Sequence, residues 1–369
     1  MAERHLVLAG GGHAHVEVLR QFARRTLAGW RITLVTREVH SPYSGMLPGV
    51  AAGLYRAQQA LIDTRALAAR AGATLLVDSV DALDPDARLL RRAGGAPIAY
   101  DLLSLDTGAT PDLSRVPGAA RHALPLKPID ALLPRLVALV DAARPGQCLA
   151  VVGAGAAGTE MALALAARLG TGGVRVVLVA GASGLLPGLP EALRRRAAAA
   201  LAERGVALMD GDDVTEVTPE GLLFGRATPL PADAVLWATG AAPAAWLDRS
   251  GLRRDARGFV QVEPTLQAVG RPEVFAVGDV ASLLPHPLPK AGVFAVRQGP
   301  VLARNLRAVA EGRPPEPFMP QRDWLVLLST GDGRALGTRN GLVFGGRWAW
   351  WWKDWIDRRF MARYGDSAA

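Results

Sequence analysis

Twice along the chain a short apolar strand runs directly into a glycine-rich turn and then into an alanine-rich or amphipathic helix, first over residues 5–22 and again over residues 148–169. That order of elements leaves few options. A strand that must turn within two or three residues into a helix needs glycine backbone at the bend, and the helix then lies back on a sheet whose next strand is parallel. Apolar β-branched runs follow each unit, at residues 32–35 and 174–179, completing two β-α-β units. Each unit reaches a later strand that ends in its own glycine turn, at residues 100–111 and 232–243. The fold class read from this duplication is α/β with two Rossmann-like domains.

Turns of this kind bind dinucleotides. The glycines allow close backbone approach to a pyrophosphate, which rests on the first amides of the helix. In the first turn Gly10 and Gly12 hold the first two glycine positions, with His13 and Ala14 following, while His15 stands in the third. A histidine there predicts looser packing of helix on strand. No acid sits at the usual place after the second strand, so Thr36 or Glu38, on either side of Arg37 in the expected cofactor-binding stretch, is left to meet the ribose. His13 and His15 read as phosphate contacts or packing groups, since no cysteine or carboxylate set completes a metal site.

The second turn is complete, with Gly153, Gly155 and Gly158 in place and Ala157 between the last two. Its second strand ends in Val179-Ala180-Gly181, again without an acid, so the choice between NADH and NADPH stays open. Arg194, Arg195 and Arg196 fall within an amphipathic helix, where a solvated face is the simpler reading.

Composition narrows the setting. One cysteine, Cys148, excludes an intramolecular disulfide framework and points to a reducing compartment, the cytoplasm by default. The net charge of +8 comes with no nucleic-acid motif, so no nucleic-acid partner is expected. The opening apolar run is read as a strand rather than a secretory leader, and glycines and Glu160 interrupt the apolar stretch 149–169, so no transmembrane helix is expected.

Taken in order, the turn at Gly10, Thr107-Gly108, the fingerprint at Gly153, Ala238-Thr239-Gly240 and Val277-Gly278-Asp279 resemble the two-dinucleotide-binding flavoproteins of the pyridine nucleotide-disulfide oxidoreductase superfamily. The resemblance implies FAD at the first turn and NADH or NADPH at the second, the nicotinamide domain being inserted into the FAD domain. The implied boundaries are 1–118 and 247–315 for the FAD-binding domain, 119–246 for the NAD(P)H-binding domain, and 316–369 for a small C-terminal region ending in an amphipathic helix. It further implies that Asp279 takes the flavin ribityl chain, that the helix start at Ala291-Gly292-Val293 presents backbone to the flavin ring, and that Val80 and the 41–53 segment with Leu47 and Pro48 pass beside it. The disulfide reductases of the superfamily need a redox cysteine pair, which this chain lacks.

Residues 35–53 and the pairs Leu126-Lys127 and Asp130-Ala131 are similar to type II NADH dehydrogenases, and GGGHAH, PYSGMLPG, VFAVRQGP and WKDWIDRRFM to a bacterial subgroup with members fused to selenophosphate synthetase. The resemblance makes Glu160 an orienting or proton-handling group beside the rings, and Gln298 the second of two quinone-site glutamines, with Val293 in place of the first. Lys290 and Arg297 add positive charge that could stabilise an anionic reduced flavin. The implied activity is that of an FAD-dependent NAD(P)H oxidoreductase passing electrons to a quinone-like or other small acceptor. A redox-sensing flavoprotein, and a reductase of a selenium compound, are the rival readings.

Residues 312–320 read as a linker and 324–344 as a hairpin. Residues 347–364 carry five basic and two acidic side chains among their tryptophans. Peripheral membrane contact and a protein contact, such as a homodimer, both fit that pattern.

Overall fold

The computed structural model describes residues 3–321 and 323–365. Its first sheet has at its centre the strand Arg4–Ala9, paired in parallel with Trp30–Thr36 on one side and Leu102–Leu105 on the other. Every residue of that central strand after Arg4 is buried, as befits a parallel strand covered on both faces. Ala73–Val77 forms one edge of the sheet, and on the other side Arg271–Ala276 pairs in parallel with Leu102–Leu105, so the segment around residues 273–281 returns to the sheet where the chain began.

Between those visits the chain builds a second, five-stranded parallel sheet around Cys148–Val152, flanked by Arg175–Gly181 and Ala234–Trp237. Both glycine turns therefore emerge at the carboxyl ends of central strands. In open α/β sheets that is where ligands bind.

Helix His13–Arg24 packs on helix Gly292–Ala310, and Gly299 permits the approach because a Cβ there would press on Glu17 and Ala14. The linker expected at 312–320 is instead a strap. Asn305 donates from Nδ2 to the carbonyls of Thr265 (2.9 Å) and Glu316 (2.8 Å), and Phe318 is buried in the first core.

The C-terminal hairpin gains a third strand. Val326–Ser329, Ala335–Arg339 and Leu342–Gly346 form an antiparallel sheet, the last two joined through Asn340 and Gly341. Both turn residues have positive φ (50° and 76°), which an Asn-Gly pair accepts at small cost. The tryptophan-rich stretch is the helix Arg347–Ala362, which buries Ala349, Trp350, Lys353, Asp357 and Phe360. Of the expected region 316–369, residues 322 and 366–369 lie outside the described residues. Among the described residues no helix is long and apolar enough to cross a membrane.

Candidate functional site: two glycine turns joined by the C-terminal helix

A cavity of about 300 Å³ opens at the carboxyl ends of the first sheet. Its floor is the turn Gly10–His13. Gly10 has φ +102°, and a Cβ at this residue would overlap the backbone of Asp106, so no other residue fits without displacing that strand end. Thr36, Arg37, Glu38, Val80, Thr107, Gly108, Asp279 and Gly292 complete the walls. Two buried polar atoms in that lining, His13 Nε2 and Thr107 Oγ1, have no partner among the described residues, as expected of groups that serve a ligand.

His15 explains how the first fingerprint works without its third glycine. Its imidazole is fully buried between helix and strand, Nδ1 against the Gly10 carbonyl (2.7 Å) and Nε2 against Ser104 Oγ (2.8 Å). The expected loosening is thus filled by a bridging side chain. Burial pulls the pKa of His15, like that of His13, down to about 4, so both are neutral at physiological pH.

Asp106 escaped the sequence reading, which stopped at Thr107 and Gly108. It lines the cavity and accepts the amides of Ala14 (2.9 Å) and His15 (3.2 Å) at the start of the first helix. Burial raises its pKa to about 7, against the pull of those two amides and with the help of the Asp279 charge. Lys127 forms an ion pair with Asp279, and Arg37 pairs with Asp130 at 3.1 Å, so the chain leading to the second sheet is tied to the cavity wall by two cations.

Several expected residues stand elsewhere. Leu47 and Pro48 turn into buried packing, Leu47 in the second core, and the cavity wall there is carried by Ser41, Pro42 and Ser44. Ala14 is buried and reaches the site only through its amide, while Ala291 and Val293 flank Gly292 outside the lining. Lys290 donates to the Ala281 carbonyl at 2.5 Å and lies 3.8 Å from the Phe259 ring centroid; burial lowers its pKa to about 8, with Asp279 opposing. Gln298 is buried in its helix and accepts the Gly278 amide at 2.6 Å, so it holds the turn that presents Asp279 rather than facing an acceptor.

At the second turn, Gly155 and Ala157 are exposed and helix Ala156–Leu169 starts without a side-chain cap, leaving its first amides open to an anion. Gly158 packs so closely on Gly153 that a Cβ would overlap the Gly153 carbonyl oxygen and approach Ala238. Ala238, which donates its amide to Val152 O at 2.7 Å, leads into Thr239 and exposed Gly240 beside the turn.

Glu160, one turn into that helix, accepts the Ser329 amide on Oε1 at 2.7 Å. Burial raises its pKa to about 7, Lys353 and the Ser329 amide opposing and Asp357 reinforcing. Lys353 is itself buried, donating to the Gly45 carbonyl (2.7 Å) and to Asp357 (2.8 Å). Tyr43 donates to the same carboxylate at 3.1 Å and meets His13 edge-on at 5.5 Å. The C-terminal helix therefore links Glu160 of the second unit to His13 of the first. Lys353 and Asp357 were missed in the sequence because an i,i+4 pair among tryptophans reads as a solvated stripe.

Two glycine turns at the carboxyl ends of parallel strands in separate sheets, with a half-buried carboxyl of raised pKa next to the second, fit a two-nucleotide oxidoreductase framework. A model of the pyridine nucleotide-disulphide oxidoreductase family matches residues 4–299, and the chain belongs to that family. An NADH dehydrogenase-like protein of Bacillus subtilis is 26% identical over 287 residues, 77% of this chain and 78% of the relative. A demethylphylloquinone reductase of Synechocystis is 27% identical over 68% of this chain and 63% of its own length. Among solved structures, the sulfide:quinone oxidoreductase of Aquifex aeolicus superposes with a TM-score of 0.80 at 19% identity, covering 98% of this chain and 91% of that one. The fold is shared, and Cys148, the one cysteine of the sequence, is buried in the second sheet.

Proposed function

We propose that the protein is an FAD-dependent NAD(P)H oxidoreductase of the type II NADH dehydrogenase kind, delivering electrons to a quinone-like acceptor. The single observation that carries this reading is the placement of Glu160, a half-buried carboxyl with a pKa of about 7, one turn from the nicotinamide fingerprint and wired through the C-terminal helix to the FAD cavity. When both are bound, the flavin and the nicotinamide supply hydride transfer between them. Gly10 and Gly12 would bring backbone to the FAD pyrophosphate and Asp279 would take its ribityl chain, while Gln298 holds the Gly278 amide behind it. Gly153, Gly155 and Gly158 do the same for the nicotinamide nucleotide. Glu160 keeps Oε1 on the Ser329 amide, leaving Oε2 to hold or release a proton near the reacting rings. The names of the relatives support the choice of acceptor: an NADH dehydrogenase-like protein and a quinone reductase.

Anaerobic mixing of the purified yellow protein with NADH and with NADPH tests the reading. Flavin bleaching within seconds, followed by repeated turnover on adding a soluble quinone, is the expected result. A reduced protein that ignores every quinone would sink the acceptor assignment.

The outer face of the C-terminal helix supports peripheral membrane contact. Trp348, Trp351 and Trp355 are 51%, 64% and 55% exposed and share one face at i, i+3 and i+7. Arg359 lies over Trp355 at 5.0 Å. Tryptophans with flanking cations suit the headgroup region of a bilayer. Replacing the three tryptophans by serine is expected to abolish sedimentation with anionic liposomes while the protein remains yellow; undiminished sedimentation refutes the assignment.

A further inference from the structure

The second fingerprint has one defect: its second strand ends in Val179-Ala180-Gly181, where an acid that takes the adenosine ribose hydroxyls is normally found. The structure supplies a carboxylate there from another part of the chain. Asp213, three residues beyond the adjacent strand Ala207–Asp210, folds back over the end of Arg175–Gly181, and its Oδ1 accepts the Ala182 amide at 2.9 Å. The space in question is the one a side chain at position 181 would fill, because a Cβ built on Gly181 would overlap Asp213 Oδ1. The loop is pinned from both sides. Gly181 and Asp210 are register partners, and the Gly211 amide donates to the Gly181 carbonyl at 3.0 Å.

The neighbouring acid is committed elsewhere: Asp212 Oδ2 accepts the amides of Arg226 (2.7 Å) and Ala227 (2.8 Å). Asp213 is exposed, and among the described residues its Oδ2 has no partner. Arg194, the first of the three arginines in helix Glu191–Glu203, is paired with Glu191 at 2.5 Å.

We propose that Asp213 is the ribose-binding carboxylate of the nicotinamide nucleotide site, accepting from the 2′-hydroxyl of the adenosine half and so selecting NADH over NADPH. This rests on the functional reading above, and deepens it by naming the reductant. A 2′-phosphate placed against Asp213 would bring two anions together, whereas a 2′-hydroxyl donates to Oδ2.

The test uses the flavin-loaded protein and its Asp213→Asn and Asp213→Ser variants. Rates of anaerobic flavin bleaching against NADH and NADPH concentration give an apparent Kd for each nucleotide. Reduced nicotinamide mononucleotide, which lacks the adenosine half, reports whether a variant is folded and chemically competent. The wild type is expected to bind NADH at least about tenfold more tightly than NADPH, the scale of one charge-assisted hydrogen bond. Asp213→Asn keeps an acceptor for the Ala182 amide, yet is expected to weaken NADH about tenfold, bring the two nucleotides near parity and leave the mononucleotide rate unchanged. Equal binding of both nucleotides by the wild type, or a preference that survives both substitutions, overturns the assignment of Asp213 while leaving the oxidoreductase reading intact. If none of the three reductants bleaches the flavin, the functional reading itself falls, and this inference with it.

Discussion

Lys353→Met tests whether the C-terminal helix is an internal part of the site or an appendage. In the wild type the Lys353 side chain is 8% exposed and that of its partner Asp357 4%, so the pair is cut off from water. The lysine also donates to the Gly45 carbonyl and is the cation that opposes the rise in the Glu160 pKa. Methionine fills the volume but leaves the Asp357 carboxylate with only the Tyr43 hydroxyl, and removing one partner of a buried pair costs about 3–5 kcal/mol. Replacing both members by apolar groups is often nearly neutral, so Lys353→Met combined with Asp357→Leu should recover all but about 2 kcal/mol, the remainder reflecting the unpaired Tyr43 hydroxyl and Gly45 carbonyl. Urea unfolding at pH 8, followed by tryptophan fluorescence, measures both variants. A single variant within about 1 kcal/mol of wild type, or a double variant as unstable as the single, would show that the pair is solvated and that the helix does not close the site.

The remaining tests concern protons. The Glu160 pKa is raised from 4.5 to about 7, so its contribution to stability is fully present below pH 4.5 and lost as pH rises through 7. Glu160→Gln should accordingly gain up to about 3 kcal/mol over wild type at pH 8 and match it at pH 4, even as activity falls; a gain that is the same at both pH values contradicts the burial argument. His15 runs the other way, lowered from 6.5 to about 4, so its contribution is present above pH 6.5 and disappears as pH falls through 4. His15→Gln is expected to cost about 1–3 kcal/mol at pH 8 through its two buried bonds and to flatten the acid limb of the stability profile, an effect that thermal melts across pH 4–7 would detect.

Much of the framework was legible because backbone sterics act locally. A glycine-rich turn between an apolar strand and a helix is a local signal of a β-α-β unit, so the two turns, Thr107-Gly108, Ala238-Gly240 and the motif ending in Asp279 could be read in order. The Asn340-Gly341 turn was equally local and was passed over, which is why a third C-terminal strand was missed. Side-chain assignments travelled less well. Leu47 and Pro48 were expected beside the flavin by their position in a motif; both are buried, Leu47 in the second core, and Ser41, Pro42 and Ser44 line the cavity there. Gln298 was read as facing an acceptor, and it is turned instead to the backbone of Gly278.

The amino-acid order alone determined the class of fold, the two phosphate cradles and the absence of a cysteine pair, since each depends on residue type and spacing over fewer than about ten positions. Only the tertiary structure could decide that His15 replaces a glycine by bridging to Ser104, that Asp106 lies over the first helix, that Lys353 meets Asp357 beneath Glu160, and that Asp213 stands at the end of a strand it does not belong to. Those contacts join residues 31 to 193 positions apart, apart from the helical Lys353–Asp357 pair, whose burial still depends on the rest of the fold. Long-range electrostatic and hydrogen-bonded pairs leave no periodic trace in a chain, because what selects them is the water they exclude together once the layers have closed.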